Sequence, residues 1–232
     1  MLDDRQPARV LAVYAHPDDA DVACGGSLAR WVDRGAEVHV LVCSRGEKGS
    51  SEPGADADAL ARRRAEELAA AADVTGAVGH EILGYGDGEL DNTSELREEL
   101  VTRVRSLQPD TVLTHDPTAV FFGSGYVSHH DHRSVGWAVL DACAPASGSP
   151  LYFPGAGPPH LVEAVYLSGT LEPDVWVDIS DVVDRKVGAL RCHRSQVGDD
   201  TEWVDEVVRE RAAEAGAGVS VGYAEAFRRL VF

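Results

Sequence analysis

Two short runs of apolar, mostly β-branched residues constrain the fold of this chain more than any other feature of its sequence. They span residues 9–16 and 37–44, and between them lies a helical segment from about Gly26 to Arg34 that closes on Gly35. This order of strand, helix and strand is typical of a βαβ unit, in which the two strands are parallel. The amino-terminal part of the chain therefore predicts an α/β fold.

The alternation of strands and helices continues through the rest of the chain. Further strands are predicted over residues 81–85, 111–115, 163–168 and 175–179. Further helices are predicted over residues 58–72, 94–107, 134–144, 182–193, 202–215 and 224–230. Such alternation predicts a mainly parallel sheet that is covered by helices on both faces. The length of 232 residues, with no internal repeat or linker, predicts a single domain over residues 1–232.

Composition excludes several functional classes. The 39 acidic residues outnumber the 21 basic ones and give a formal net charge of −18, which would repel a phosphate backbone, so nucleic acid is not an expected partner. No uncharged apolar stretch reaches about eighteen residues, and no apolar core follows the amino terminus, so neither a membrane span nor a secretion signal is expected. The four cysteines form no Cys-x-x-Cys pair, which favours free thiols in a reducing, cytoplasmic environment.

One candidate functional segment follows the first predicted strand directly and contains His16, Asp18, Asp19 and Asp21. Pro17 fixes the turn here and cannot donate a further backbone hydrogen bond to the sheet. In open α/β sheets the reacting groups gather where strands end at their carboxyl edge. A turn with solvated carboxylates would explain any one of these aspartates. The whole cluster of metal-competent and acid–base side chains favours a functional site.

A second candidate segment, Ser128–His132, follows the strand predicted over residues 111–115 after a loop that contains three aromatic residues. It contains His129, His130 and His132, with Asp131 among them. Taken alone, it also suits a surface patch or the first turn of a helix, where the helix dipole would stabilise Asp131. Together with the first segment it indicates a metal site, because catalytic zinc is typically held by three His or carboxylate ligands with a fourth position for water.

The two segments together supply the groups that a mononuclear zinc site needs to hydrolyse an amide. The three candidate ligands are His16, Asp19 and His132. Hydrolysis also needs a base for the nucleophile and an acid for the leaving amine, and Asp18 is the candidate general base. His129, oriented by Asp131 and acting as an imidazolium, is the candidate donor to the developing oxyanion.

The sequence resembles the PIG-L superfamily of de-N-acetylases, also called LmbE-like proteins, over most of its length. The main similarities lie in Ala15–Asp19, Cys24–Ser27, Ser44–Gly49 and His129–His132. Weaker similarities lie in Arg64–Glu67, Leu83–Asp87, His193–Gln196 and Tyr223–Phe227. The first and fourth of the main segments are specific in combination, whereas the weaker ones would indicate nothing alone.

The resemblance implies a Rossmann-like three-layer sandwich, a zinc cofactor, and removal of an acyl group, most often acetyl, from an N-acetylglucosamine-type sugar on a small molecule. It implies the same metal ligands and the same base, with His129 and Asp131 polarising the carbonyl or protonating the amine. It also places Arg64 and Asp87 at the sugar hydroxyls, although a helix contact between Arg64 and Glu67 explains that arginine equally well. Self-association into a homo-oligomer is compatible with the sequence.

Two positions depart from the family pattern. Ala20 stands where the family often has glutamate, but the acidic Asp21 that follows it resembles the subgroup that contains bacillithiol-pathway deacetylases. His130 stands where the family usually has proline, and this side chain can be a surface residue, a substrate contact or an alternative ligand. Of these three roles we expect a surface residue.

Some residues outside the main segments are expected near the site. His115 and His193 are expected to be structural, although both can lie at its edge. Loop residues near Phe121 and Phe153 are expected to select the group attached to the sugar.

Two other functions stay open at this stage. A metal-dependent phosphoesterase would use a similar ligand set, but the acidic composition and the lack of a basic cluster disfavour it. A noncatalytic Rossmann-type binding protein with a vestigial metal site is disfavoured by the complete set of ligands, base and oxyanion donor. No Gly-x-Gly-x-x-Gly, Gly-x-x-x-x-Gly-Lys-Ser/Thr or Gly-x-Ser-x-Gly pattern occurs, so nucleotide binding and serine catalysis are not predicted.

Overall fold

A seven-stranded sheet forms the centre of the computed structural model, which describes all 232 residues. The strands of the chain are β1 (Arg9–Tyr14), β2 (Glu37–Ser44), β3 (Gly79–Tyr85), β4 (Thr111–His115), β5 (Phe121–Phe122), β6 (Tyr126–Val127), β7 (Ala164–Ser168), β8 (Val175–Asp178) and β9 (Ala224–Val231). The sheet order is β3-β2-β1-β4-β7-β9-β8, and β5 and β6 form a separate hairpin. Neighbouring strands from β3 to β7 pair in parallel, and β9 runs antiparallel between β7 and β8. The prediction of a mainly parallel sheet is confirmed.

Helices cover both faces of this sheet. They are α1 (Asp19–Asp33), α2 (Ala57–Thr75), α3 (Ser94–Leu107), α4 (His130–Asp141), α5 (Val183–Cys192), α6 (Arg194–Val197) and α7 (Glu202–Ala217). α1, α2, α5 and α7 lie on one face, and α3 and α4 lie on the other. None of these helices combines the length and the apolar character needed to cross a bilayer.

The buried apolar side chains of the sheet divide between two cores. Along β1, Val10, Ala12 and Tyr14 join the core beneath α1, whereas Leu11 and Val13 join the core beneath α3 and α4. The two cores contain 22 and 21 buried apolar residues, so both faces are covered to the same extent. This is the period-two pattern of a strand that is buried on both faces. It confirms the predicted three-layer sandwich.

The last strand corrects one prediction of secondary structure. Residues 224–230 are predicted to be helical, and their Ala, Glu and Arg residues favour a helix, yet they form strand β9. Phe227 is fully buried in the core beneath α1, and Leu230 packs against the opposite core. The backbone of β9 also pairs with both β7 and β8. Burial and strand pairing therefore outweigh the intrinsic helix propensity of this segment.

Two helices begin earlier than predicted, and both carry candidate site residues in their first turns. α1 begins at Asp19 rather than near Gly26, and α4 begins at His130 rather than at Ser134. Histidine, aspartate and glycine have low helix propensity, so these first turns leave no clear helical pattern in the sequence. Asp19 and His132 consequently lie at helix amino termini, where the helix dipole favours a carboxylate and disfavours a protonated imidazole.

One buried arginine organises the long connection between α4 and β7. Arg105 is 2% exposed, and its guanidinium donates hydrogen bonds to six backbone carbonyls of this connection. The carbonyls belong to Ala146, Ser147, Ser149, Tyr152, Phe153 and Gly157. The ring of His160 bonds to the carbonyl of Pro109, just before β4. The connection therefore lies at the amino-terminal edge of the sheet, and the expectation that Phe153 helps to select a substrate is wrong.

The packing of α1 against Ile179 leads to a prediction for two adjacent glycines. A Cβ on Gly26 would lie 2.8–3.0 Å from three atoms of Ile179, whereas a Cβ on Gly25 would have its nearest contact at 3.6 Å. Alanine is intrinsically better than glycine in a helix by up to about 1 kcal/mol, but overpacking a core costs about 1–3 kcal/mol. We therefore expect Gly26→Ala to be less stable than Gly25→Ala by about 1–3 kcal/mol in urea unfolding. Equal stability of the two variants would contradict this packing.

The role of Arg105 can be tested against a neighbour on the same helix. Arg105→Met leaves six carbonyls without their donor, so we expect it to lower the free energy of unfolding by more than about 3 kcal/mol. Arg103 is a matched control, because it makes only a partly exposed ion pair with Glu81, and Arg103→Met should cost less than about 1 kcal/mol. Similar losses in the two variants, measured by chemical unfolding, would show that the connection does not depend on Arg105.

Candidate metal centre and active site

The candidate site lies at the carboxyl edge of the sheet, where β1, β3 and β4 end. β1 leads directly into His16, β4 ends in His115, and the loop after β3 carries Asp87. The first turns of α1 and α4 contribute Asp19 and His132. These side chains meet because parallel strands share one carboxyl edge, as the position of the two motifs predicted.

The three predicted metal ligands lie close together and bring four donor atoms to one place, one from each imidazole and both oxygens of Asp19. Nδ1 of His16 lies 3.2 Å from Nε2 of His132. Asp19 approaches both rings, with Oδ2 3.2 Å from Nδ1 of His16 and Oδ1 3.2 Å from Nε2 of His132. Its Oδ2 also accepts the backbone N–H of His16 at 2.7 Å, which fixes the carboxylate. We call these three residues the ligand triangle.

The ligand triangle has the donor set of a single divalent ion. Ligand atoms about 2.0–2.1 Å from a tetrahedral zinc ion are about 3.3 Å apart, close to the separations in this site. Two imidazoles and one carboxylate are also ligand types that catalytic zinc sites use. None of the four cysteines belongs to the cluster. His16 and His132 share a possible ion-binding group with His129, and Asp19 and His132 share one with His115, so the predicted ligands lie within one larger candidate metal site.

Two buried carboxylates lie on the far side of the His16 ring. Its Nε2 is 3.3 Å from Oδ1 of Asp87 and 3.4 Å from Oδ2 of Asp131. Asp131 is held by the backbone N–H groups of Gly88 at 2.7 Å and Leu90 at 3.3 Å. Burial lowers the pKa of His16, but hydrogen bonds to the carboxylates, that of Asp131 first, outweigh it and raise this pKa to about 12. A carboxylate on the far nitrogen orients a ligating imidazole and increases its basicity.

His115 contributes to the site more directly than its sequence context predicts. Its Nε2 lies 3.3 Å from Oδ2 of Asp19, and its ring stacks on that of His132 with centroids 4.0 Å apart. The ring of Tyr14 packs edge-on against it. Burial lowers the pKa of His115 to about 4, so the ring is neutral at neutral pH. His115 therefore supports the ligand triangle from the interior, and its place at the end of β4 is the sequence signal for this role.

Asp18 lies next to the ligand triangle and is partly exposed. Its Oδ1 accepts a hydrogen bond from Nη2 of Arg64 at 2.5 Å, and its side chain is 23% exposed. Arg64 also donates to the carbonyl of Gly46, in the loop after β2. The buried arginine thus fixes the orientation of Asp18, and Oδ2 is left without a hydrogen bond to the protein.

The structure corrects the partner predicted for His129. The Asp131 carboxylate lies against His16, whereas Nδ1 of His129 accepts the backbone N–H of Asp131 at 3.2 Å. Burial and the charge of His16 lower the pKa of His129. A neutral imidazole that accepts at Nδ1 carries its proton on Nε2. His129 can therefore donate a hydrogen bond without becoming the imidazolium that the sequence suggested.

The two residues expected at the sugar hydroxyls are buried among other partners. Arg64 is 3% exposed and bonds to Asp18, while Asp87 is 6% exposed and contacts His16. The alternative contact between Arg64 and Glu67 is absent as well, because Glu67 bonds to other residues. In the structure both residues support neighbouring side chains of the site, and their contact with sugar hydroxyls stays a prediction.

The weak motif His193–Gln196 connects the helices around the site. Nε2 of His193 lies 2.8 Å from Oδ2 of Asp21 in the first turn of α1, and both residues are buried. Ser195 donates its backbone N–H and its hydroxyl to Glu67 of α2. Asp21, the acidic residue at one of the departures from the family pattern, therefore anchors the helix that carries Asp19.

His130 lies outside the ligand triangle. Its side chain is 51% exposed, and its Nε2 lies 3.2 Å from Oδ1 of Asp91, which is itself 74% exposed. No group of donor atoms that could hold an ion includes it. His130 is a surface residue, as expected, and not an alternative ligand.

Comparison with known proteins assigns the chain to the deacetylases, enzymes that hydrolyse amide bonds. A profile of the PIG-L family, described as GlcNAc-PI de-N-acetylase, matches residues 11–143, which include the ligand triangle and Asp18. The chain therefore belongs to the PIG-L family, as its motifs indicated.

Relatives and solved structures agree with this assignment. The chain is 35% identical over 225 residues to diacetylchitobiose deacetylase of Thermococcus kodakarensis, covering 95% of this chain and 82% of the relative. It is 32% identical over 246 residues to 1D-myo-inositol 2-acetamido-2-deoxy-alpha-D-glucopyranoside deacetylase of Rhodococcus jostii, covering 82% of each. Its structure is similar to that of N,N'-diacetylchitobiose deacetylase from Pyrococcus horikoshii, with a TM-score of 0.88 and 30% identity over 97% of this chain and 84% of the other. These similarities confirm the predicted fold class.

The ligand triangle leads to a prediction about metal binding. We expect one zinc ion per chain, and we expect His132→Ala to weaken its binding by about 100-fold or more, because only two of the three ligands remain. Titration calorimetry of zinc into the chelator-treated protein measures both quantities. His80→Ala, which removes an exposed histidine of β3, is the matched control and should bind zinc as the unmodified chain does. Unchanged zinc affinity in the His132 variant would remove this residue from the ligand set.

Proposed function

We propose that the protein is a zinc-dependent hydrolase that removes the N-acetyl group from an N-acetylglucosamine-type amino sugar carried on a small molecule. The observation that carries this proposal is the ligand triangle with Asp18 beside it. A divalent ion held by these ligands supplies Lewis-acid activation of a water molecule and of the acyl carbonyl. Membership of a de-N-acetylase family and the names of the two deacetylase relatives support an N-acetylated sugar as substrate.

Asp18 acts as the general base of this proposal. Arg64 holds its Oδ1, so Oδ2 is the atom that accepts the proton of the attacking water. The carboxylate is partly exposed, which lets a water molecule and a substrate reach it. Arg64 is a positioning residue, because it reaches the reaction only through Asp18.

His129 acts as the hydrogen-bond donor to the developing oxyanion or to the leaving amine. Its Nδ1 accepts the backbone N–H of Asp131, so Nε2 carries the proton and is the ring atom that can donate. The carboxylate of Asp131 orients His16 and thereby acts on the reaction through a metal ligand. His129 and Asp131, which the sequence predicts to act together, therefore have separate roles in this proposal.

The other two functions gain no support from the site. Arg64, the basic side chain beside the ligand triangle, is already paired with Asp18, so it does not provide the anion site that a phosphoesterase would need. Membership of an enzyme family disfavours a noncatalytic binding protein. All four cysteines are free, and we therefore keep a cytoplasmic enzyme as part of the proposal.

The base assignment predicts the effect of one substitution. Asp18→Asn keeps the shape of the side chain but cannot accept a proton, so we expect kcat for acetate release to fall by about 100-fold or more with zinc content unchanged. The assay uses N-acetylglucosamine and N,N'-diacetylchitobiose with added zinc. Asp73→Asn, at an exposed position of α2, is the control and should keep full activity.

Three results would contradict the proposal at different points. Full activity of Asp18→Asn would remove Asp18 from the mechanism but leave the deacetylase function intact. Acetate release that persists after a chelator has removed all metal would show that the mechanism does not use a metal ion. Absence of acetate release from every N-acetylated sugar offered to the zinc-loaded chain would overturn the substrate class.

A further inference from the structure

A buried ion pair lies against the middle of α1 and takes no part in the mechanism proposed above. It joins Glu225 of β9 to Lys186 of α5, whose side chains are 5% and 8% exposed. Oε1 of Glu225 accepts a hydrogen bond from Nζ of Lys186. Replacing a buried ion pair by apolar side chains of similar volume often leaves stability unchanged or raises it. Stability alone therefore does not explain why two charges are buried here.

The pair holds two backbone groups of α1 that are one helical turn apart. Nζ of Lys186 donates to the carbonyl of Val22 at 2.8 Å. Oε1 of Glu225 accepts the backbone N–H of Gly26 at 3.0 Å. The remaining oxygen, Oε2, accepts the N–H of Ser27 at 2.7 Å and its hydroxyl at 2.5 Å. The two charges therefore fix the position of one turn of α1 through its backbone, since residues i and i+4 span one turn.

Two segments of the resemblance to the PIG-L superfamily meet in these contacts. Cys24–Ser27 lies in α1, and Tyr223–Phe227 contains Glu225. Because the first segment contains two glycines and a serine, the carboxylate can reach the helix backbone. The stem of Lys186 also passes close to α1, since a Cβ on Gly25 would lie 3.7 Å from its Cγ. The contacts thus give both segments a role that the ligands and the base leave unexplained.

The first turn of α1 carries the candidate base and lacks the usual support of a helix start. Asp18 occupies the N-cap, but its side chain accepts no N–H of the helix and bonds to Arg64 instead. An aspartate at this position commonly stabilises a helix by accepting such an N–H. The carbonyl of Asp18 accepts the N–H of Val22 at 3.1 Å, and the carbonyl of Val22 accepts Lys186. Backbone hydrogen bonds therefore connect the buried pair to the base.

We propose that Glu225 and Lys186 are positioning residues that fix the first turn of α1 and so set the places of Asp18 and Asp19. Both act through the backbone of α1, one turn away from the reacting groups. This inference rests on the proposed function, because it takes Asp18 as the base and Asp19 as a metal ligand. The order of the first turn is nevertheless measurable without metal or substrate.

The test uses a double variant that carries Lys186→Met and Glu225→Gln. It removes both charges together, so no unpaired charge remains in the core and the loss of stability is smaller than for either single change. The matched control carries Arg228→Met and Glu172→Gln, which removes an exposed ion pair of the same strand β9. Arg105→Met is a second control, because it lowers stability at the opposite edge of the sheet.

Hydrogen exchange followed by NMR measures the order of the first turn in the metal-free protein. We expect the amide of Val22 in the double variant to exchange about tenfold faster, relative to the amides of the central strand β4, because the turn loses its support. The comparison with β4 removes changes in global stability. Both controls should keep the ratio of the unmodified chain. An unchanged ratio in the double variant would overturn the proposal, whether or not the chain turns over a substrate.

Zinc affinity and kinetics measure the consequence for the site. We expect the double variant to bind zinc about tenfold more weakly in titration calorimetry, because Asp19 is less well placed. At saturating zinc, kcat for acetate release should fall about tenfold with KM unchanged, because Asp18 is displaced while the substrate contacts remain. Lys186→Arg keeps a donor for the carbonyl of Val22 and should retain most of the zinc affinity and kcat.

The controls separate positioning from stability and from the proposed function. Arg105→Met, measured where it is fully folded, should keep the zinc affinity and kcat of the unmodified chain. Equal losses in Arg105→Met and in the double variant would assign the effect to stability and overturn the proposal. Absence of zinc binding by the unmodified chain would contradict the proposed function, and the exchange of the Val22 amide would then decide the role of the pair.

Discussion

The Asp19 carboxylate, which contacts two histidines from distant parts of the chain, is the interaction on which the site depends. His16 and His132 each lie 3.2 Å from one of its oxygens, and Asp87 and Asp131 add two further carboxylates around His16. Burying such charges costs several kcal/mol per ion unless a positive charge compensates them. A proton on His16 provides one such charge, and a divalent ion provides more. The electrostatics of this cluster therefore favour positive charge among its carboxylates.

The fold supplies rigid positions for every residue of this cluster. The ligands stand at strand ends and in the first turns of helices, which are more precise supports than long loops. A second set of contacts fixes the supports themselves: His115 stacks on the ring of His132, Arg64 orients Asp18, and the buried pair of Asp21 with His193 anchors α1.

The sequence predicts the architecture and the ligands because both depend on local patterns. Apolar, mostly β-branched runs indicate the strands, and two dense His/Asp segments that follow strands indicate a candidate metal site. Other features depend on tertiary contacts that no local pattern contains. The segment that forms β9 has a helical composition, and its strand form follows from the space between β7 and β8. The early starts of α1 and α4 were missed because functional His and Asp residues replace good helix formers there.

The side-chain partners of some site residues also depend on tertiary contacts that the sequence does not reveal. Asp131 follows His129 closely in sequence, yet its carboxylate contacts His16, because the loop after β3 draws it inward through backbone N–H groups. Arg64 lies one helical turn from Glu67, yet it crosses to Asp18. In both cases the residue that is near in sequence is not the partner. The carboxyl edge of the sheet brings a residue from a distant part of the chain closer.

X-ray absorption at the zinc edge of the zinc-loaded protein identifies the atoms that bind the ion. We expect a four-coordinate ion with only nitrogen and oxygen neighbours at about 2.0–2.1 Å and with the scattering of two imidazoles. The imidazole contribution should fall by half in His132→Ala. Sulfur scattering at about 2.3 Å, or a spectrum with no imidazole contribution, would contradict a centre formed by His16, Asp19 and His132.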